Sequence, residues 1–317
     1  MIAFIFPGQG SQKVGMGGAL AEASAAARSV FEEVDDALSQ KLFKLMRDGP
    51  EDELTLTANA QPAIMAHAMA VLHVLEREGG IRISAKGDCV AGHSLGEYTA
   101  LAAAGSFTLA DTARLLRRRG EAMQAAVPVG VGAMCALLGA DLGVAVKLAE
   151  AAAEGEVCEV ANDNDPTQVV LSGHAGAIAR AVEMAREFGA KRAVPLPVSA
   201  PFHCSLMQPA ADAMEAALAE ISPGPMRLPL YANFTATLTT DPAMERDLLV
   251  KQVTGRVRWR ESLLAMSEAG VTHFVELGGK VLAPMVKKTL PDAAATSVVS
   301  MGDIEALAKA IETGEIA

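Results

Sequence analysis

The segment Gly92-His93-Ser94-Leu95-Gly96 constrains this chain more than any other. Apolar Cys89-Val90-Ala91 enters it as a short buried strand, and a helical pattern leaves it after Ser94. A serine between alternate glycines, with a strand before and a helix after, is the setting of a nucleophile elbow. The sharp turn holds the serine backbone in a strained conformation, and glycine at the flanks removes side chains that would collide with neighbouring elements. The hydroxyl is left exposed. The Leu95 N–H, at the start of the helix, points where an oxyanion forms, and the helix dipole favours that charge. Ser94 is therefore the candidate nucleophile; the bland alternative is an ordinary glycine-rich turn, against which the strand-to-helix context weighs.

The same alternation of strand and helix runs along the chain and predicts an α/β fold. Residues 2–6 are an apolar strand ending in a turn at Pro7-Gly8-Gln9-Gly10, and open α/β sheets hold ligands at the carboxyl ends of such strands. Asn59 is expected to cap a helix with Ile64, Ala68, Val71, Leu72 and Leu75 on one face. Thr108 with Asp111 resembles a capping box; Leu109, Leu116 and Met123 continue that helix, and Arg119 falls near its end. From 130 to 197 the order is strand 133–138, helix 142–153, strands 157–161 and 168–171, helix 175–188 and strand 192–196. That is the β-α-β-β-α-β order of a ferredoxin-like fold. It predicts a small domain, residues 130–197, interrupting a large one made of 1–129 and 198–317, whose central sheet is largely parallel. Farther on are a helix over 206–220 stopped by Pro223-Gly224-Pro225, a strand at 230–232, and a buried helical stretch holding Trp259, Leu263 and Leu264. A strand over 272–277 turns at Gly278-Gly279 into a helix from Val281, and a last pair occupies 296–300 and 304–311.

Composition narrows the class. Of 317 residues 51% are apolar but only 4% aromatic, because alanine, leucine and valine supply the apolar share; that is a helix-rich globular mixture. A net charge of −11 argues against nonspecific nucleic-acid binding. The basic clusters Arg117-Arg118-Arg119, Lys191-Arg192 and Lys287-Lys288 read either as a local patch or as solvated helix ends. The opening residues carry no secretory signal, and apolar runs break well before the ~18 residues of a membrane span. A cytoplasmic protein without membrane contact is expected, as a monomer. Cys89, Cys135, Cys158 and Cys204 have neither metal-ligand spacing nor disulfide density, so no metal site is expected, and Cys89 and Cys158 look like core residues.

A serine nucleophile needs a base within roughly 3 Å. The histidines are 67, 73, 93, 174, 203 and 273. His67 and His73 lie on the scaffold helix, His174 caps a helix, and His93, beside the serine, is expected to face away from the hydroxyl. His203 sits in a non-periodic link, where loop-borne catalytic groups are plausible. This ranks it first without settling the choice.

Several spaced motifs in order resemble the malonyl-CoA:acyl-carrier-protein transacylases, acyltransferases of fatty-acid synthesis similar to the acyltransferase domains of polyketide synthases. They are Phe6-Pro7-Gly8-Gln9-Gly10-Ser11-Gln12, Gly92-His93-Ser94-Leu95-Gly96-Glu97, Arg119-Gly120 ahead of Met123-Gln124, Asn162, Phe202-His203, Gln252 and Glu276-Leu277-Gly278-Gly279-Lys280-Val281-Leu282. The resemblance covers almost the whole chain. It implies Ser94 as nucleophile, His203 as base, and the Gln252 backbone carbonyl as the group orienting that histidine. It implies Gln9 and Leu95 at the oxyanion hole, Arg119 as the binder of the malonate carboxylate, and Met123, Asn162 and Phe202 as pocket residues. The implied partners are malonyl-CoA and holo acyl carrier protein, with no cofactor. It also implies a large hydrolase-like domain interrupted by a ferredoxin-like one.

Two features stand beside the resemblance. Many relatives carry a proline between two glycines where this chain has Gly278-Gly279 and is one residue shorter, so a different loop shape is expected there. Phe202 before His203 resembles the malonyl-selective pattern, in which a bulky ring crowds an α-methyl branch. From the residues alone Arg119 reads as a helix-end cation balancing the dipole, and the resemblance reverses this. The rivals are a serine esterase, whose triad places histidine late, where only His273 is available, and a carrier-protein docking module without turnover.

Overall fold

The computed structural model describes residues 1–198 and 200–316; Ser199, in the link leading to His203, lies outside the described residues. Among the described residues ten strands form two sheets. They are β1 (Ile2–Phe6), β2 (Cys89–Gly92), β3 (Gly132–Leu138), β4 (Cys158–Asp165), β5 (Gln168–His174), β6 (Arg192–Pro195), β7 (Leu230–Tyr231), β8 (Leu238–Thr239), β9 (His273–Leu277) and β10 (Ala294–Val298). The larger sheet has the order β10-β9-β1-β2-β7-β8, parallel except for the β7–β8 pair.

Strands β1 and β2 lie at its centre and are buried on both faces, which is why they read as unbroken apolar runs. Alternate residues serve opposite cores. Ile2, Phe4, Phe6 and Val90 belong to the main core, which the helices Thr57–Arg77 and Leu109–Ala125 also feed, while Ala3, Ile5, Cys89 and Ala91 belong to a second core with Trp259 and Leu263 of the helix Trp259–Glu268. Each fully buried large side chain contributes about 1.5–3 kcal/mol. The parallel register pairs Phe6 with Gly92, so the loops after β1 and β2 open side by side at one edge.

The smaller sheet is antiparallel, in the order β4-β5-β3-β6, which is the ferredoxin-like arrangement of a β-α-β-β-α-β chain. One face, with Cys135, Leu137, Val169 and Leu171, packs against the helices Leu142–Ala153 and Ala175–Met184. The other face turns Met134, Ala136 and Val170 into the main core. The α/β class, with a largely parallel sheet and a separate antiparallel one, is the expected one.

Local details differ from expectation for identifiable reasons. Strand β4 does not stop at 161 but continues through Asn162-Asp163-Asn164-Asp165. That polar stretch stays extended because the Asp163 carboxylate is bonded twice over by Arg260, Asp165 pairs with Lys288, and the Asp163 N–H donates to the Val257 carbonyl. Asn59 is not a cap: its helix starts at Thr57, and the Asn59 amide donates to the Glu53 carbonyl. Thr108 does cap, accepting the Asp111 N–H. Leu264 is 36% exposed, whereas Trp259 and Leu263 are fully buried. Among the described residues no helix is long and apolar enough to cross a membrane.

Candidate active site

Ser94 caps the helix Leu95–Ala103 with φ 54° and ψ −113°, a region that non-glycine residues rarely occupy. Its neighbours make the turn possible. A Cβ on Gly92 would overlap the Gly96 backbone, and one on Gly96 would overlap the Phe6 carbonyl. Asn233, just beyond β7, clamps the turn: its Oδ1 accepts the Ser94 N–H and its Nδ2 donates to the Gly92 carbonyl, both at 2.7 Å. Leu95 is the first helical residue, so its N–H has no acceptor within the helix.

His203 also has positive φ, 58°, and is 4% exposed. Its Nε2 lies 2.7 Å from Ser94 Oγ and its Nδ1 2.8 Å from the Gln252 backbone carbonyl. A carbonyl only accepts, so Nδ1 carries the ring proton and Nε2 turns its lone pair toward the serine. Burial, and then the Arg119 charge, push the imidazole down to a pKa of about 3, so it is neutral and able to take a proton. Four of the other histidines are engaged elsewhere, and His73 lies on the helix Thr57–Arg77 with its Nδ1 unpartnered among the described residues. His93 Nε2 bonds Asn164 Oδ1 at 2.8 Å, His67 bonds the Gly278 carbonyl, His174 accepts the Val157 N–H, and His273 meets Thr272.

Arg119 is buried at 1% exposure, well inside the helix Leu109–Ala125, so it does not serve as a helix-end cation. Gly120 lets this helix press against the backbone of Thr57 and Ala58, where a Cβ would collide. The guanidinium donates to Gln61 Oε1 at 2.9 Å, Gln252 Oε1 at 2.8 Å and Ser94 Oγ at 3.1 Å. It also lies over the Tyr98 ring, 5.6 Å from its centroid. Gln61 in turn donates to Thr57, and Thr57 to the Gln9 side-chain oxygen. The remaining basic clusters are surface features: Arg118 pairs with Glu220, and Lys287 donates to backbone carbonyls.

These groups open on one cavity of about 270 Å³. Gln9, Ser94, Leu95, Arg119, Met123, Asn162, Phe202 and His203 all line it. Gln252 does not; it stands behind Ser94 and His203, fully buried. Met134, Leu196, Pro197 and Val198, from the smaller sheet and the strand-end beyond it, form the facing wall. Gly278 and Gly279 are absent from this lining. The short loop there is closed by Glu276, whose carboxylate accepts the N–H groups of Val281, Leu282 and Ala283. Gln61 and Asn233 escaped the sequence reading. Only the spacing of Gln61 four residues after Thr57 hinted at a shared face, and nothing local marks Asn233. An oxygen nucleophile, a neutral base, free N–H groups and a buried guanidinium around one cavity suit acyl transfer from a donor that bears a carboxylate.

Comparison with known proteins agrees. Residues 3–307 match the family model described as "Acyl transferase domain". The malonyl CoA-acyl carrier protein transacylase of Bacillus subtilis is 43% identical over 314 residues, spanning 98% of this chain and 96% of that protein. The crystal structure of acyl-carrier-protein-S-malonyltransferase from Bartonella henselae superposes with a TM-score of 0.96 at 52% identity, covering 98% of this chain and 99% of that one. A malonyl-transacylase solved in complex with its type II PKS acyl-carrier protein has a TM-score of 0.93 at 36% identity, covering 97% and 99%.

Proposed function

Because this chain belongs to the acyl transferase domain family, we propose that it moves a malonyl group from malonyl-CoA to the phosphopantetheine thiol of an acyl carrier protein, supplying malonyl units for fatty-acid synthesis. Arg119 is the observation that carries this assignment: a buried guanidinium 3.1 Å from the Ser94 oxygen, facing the same cavity. A planar fork in a dry site binds a carboxylate by two parallel hydrogen bonds, and no neutral acyl group has use for it.

The reaction runs in two halves. The substrate carboxylate takes up Arg119, freeing the Ser94 oxygen from the contact with that guanidinium. His203 Nε2 accepts the hydroxyl proton as Oγ attacks the thioester carbon, and the imidazolium that forms is steadied at Nδ1 by the Gln252 carbonyl. The N–H groups of Leu95 and Gln9 receive the oxyanion. Collapse expels coenzyme A, whose sulfur takes the proton from His203, and leaves a malonyl ester on Ser94. The carrier thiol then gives its proton to His203, attacks the ester and departs as malonyl thioester, returning the proton to Ser94. Met123, Asn162 and Phe202 shape the space around the acyl group.

The same reading divides the chain into a large unit of residues 1–129 and 198–317 and an inserted unit of 130–197, supported by the separate core around Leu137, Leu148 and Ile178. It takes the enzyme to be a cytoplasmic monomer; four free, buried cysteines suit a reducing compartment. Mixing the protein with malonyl-CoA and holo acyl carrier protein and weighing the carrier by mass spectrometry tests the assignment. A malonyl increment on the carrier is expected; release of free malonate with an unchanged carrier would make the protein a hydrolase.

A further inference from the structure

Beneath the elbow two acidic side chains meet out of reach of solvent. Glu97, in the helix Leu95–Ala103, and Glu245, near the start of the helix Pro242–Thr254, are both 0% exposed. Glu97 Oε2 accepts the Asn233 N–H at 2.7 Å and the Gln252 Nε2 amide at 3.2 Å. Its Oε1 and both oxygens of Glu245 meet no N–H or O–H donor of another residue type among the described residues. The two carboxyl groups are near enough for each to act directly on the other. Two ionised carboxylates are acceptors only, and side by side without solvent or donors they repel, so such a pair is stable only when one of them holds a proton.

The surroundings decide where the charge rests. Glu97 has two amide donors and Glu245 has none, so Glu97 is the better carboxylate. Burial raises both groups above the ordinary carboxyl range, and the Glu97 charge pushes Glu245 further up. The titratable groups around the pair are Arg119 from the helix Leu109–Ala125 and Tyr98 beside Glu97. The helix Gln208–Ala219, packed on that of Glu245, buries only alanine, methionine and leucine.

On the other side of Gln252 stands Arg119, a buried cation whose bonds all go to neutral oxygens. The Gln252 side chain joins the two charges, its Nε2 donating to Glu97 and its Oε1 accepting from Arg119. Flipping that amide would set its oxygen against a carboxylate and its NH2 against a guanidinium. The amide is thereby held in one orientation, and the backbone carbonyl of the same residue holds His203.

We propose that Glu97 and Glu245 share one proton, carried on Glu245, and that the Glu97 carboxylate is a positioning residue which fixes Arg119 through the Gln252 amide. Its kinetic test rests on the malonyl-transfer reading; the proton sharing does not. In Glu245→Leu the shared proton is gone, the Glu97 carboxyl is raised further, and as it takes up a proton of its own the amide loses its anchor. Malonyl transfer should fall about 100-fold, the scale on which misplacing a reacting group costs rate, with acetyl transfer falling less than about tenfold. The loss should shrink as pH rises and Glu97 ionises again. Glu245→Gln, whose amide N–H replaces the acid proton, should restore malonyl transfer to within about threefold with the wild-type pH profile. Infrared difference spectra at neutral pH should show the carbonyl band of a buried protonated carboxyl in the wild type and its absence in Glu245→Gln. A pH-independent loss that Gln does not rescue, equal loss with both acyl groups, or a missing infrared band would each overturn the proposal. Absence of malonyl transfer in the wild type would instead defeat the functional assignment, and the infrared band would still decide the proton sharing, even if the leucine variant fails to fold.

Discussion

The side of the cavity that carries Ser94 is held by buried polar groups in series: Asn233 on the Ser94 N–H, Gln252 on Arg119 and His203, Gln61 on Arg119, Thr57 on Gln61. The facing side presents Met134, Leu196, Val198 and Phe202. The difference follows from what each side does. Attack on a thioester tolerates little displacement of oxygen, imidazole and guanidinium, and directional bonds supply that precision. The apolar wall needs only to exclude water and fit the acyl group, which side-chain volume accomplishes.

If the polar side holds the chemistry, disturbing it should cost orders of magnitude, and disturbing the apolar side only selectivity. Ser94→Ala should lower transfer by about 10⁴-fold or more and leave no acyl adduct in an intact-mass spectrum. Residual adduct would point to a different nucleophile. Arg119→Ala should lower malonyl transfer by roughly 100- to 1,000-fold and acetyl transfer far less, measured as kcat/KM with the two thioesters. Equal losses would make the arginine structural. On the apolar side, Phe202→Ala should shift the malonyl to methylmalonyl preference by about tenfold at nearly constant malonyl turnover, since one methyl group is worth about 1–3 kcal/mol. The smallest effect is expected from acid. With His203 at about 3, below its ordinary 6.5, the serine acylation rate should show no limb near pH 6.5. The unfolded chain binds that proton more readily, so this group's share of stability is lost as pH falls from 6.5 toward 3, which thermal melts across that window would register.

Local signals made the elbow legible: two glycines, a serine and a change from strand to helix are read within a few residues. The small sheet was legible for the same reason, with the helix over 142–153 expected where it occurs. The rest depends on contacts between distant segments. Asn162 to Asp165 look like a loop until Arg260, Lys288 and Val257 arrive to pair them. Arg119 has the helical position of a surface residue until Gly120 seats its helix against Thr57 and Ala58. Nor does any pattern around Asn233, Gln61, Glu97 or Glu245 announce that the four converge beneath one serine. The polar wall is therefore the part that sequence reading finds hardest, because all of its bonds but that of Gln61 to Thr57 join residues far apart in the chain.

The most direct test is the mass of the enzyme itself. Brief exposure to malonyl-CoA, quenching, and mapping of the acylated peptide should find one malonyl group on Ser94, discharged when holo acyl carrier protein is added. A malonyl group on any other residue, or a carrier malonylated with the enzyme never acylated, would contradict the account.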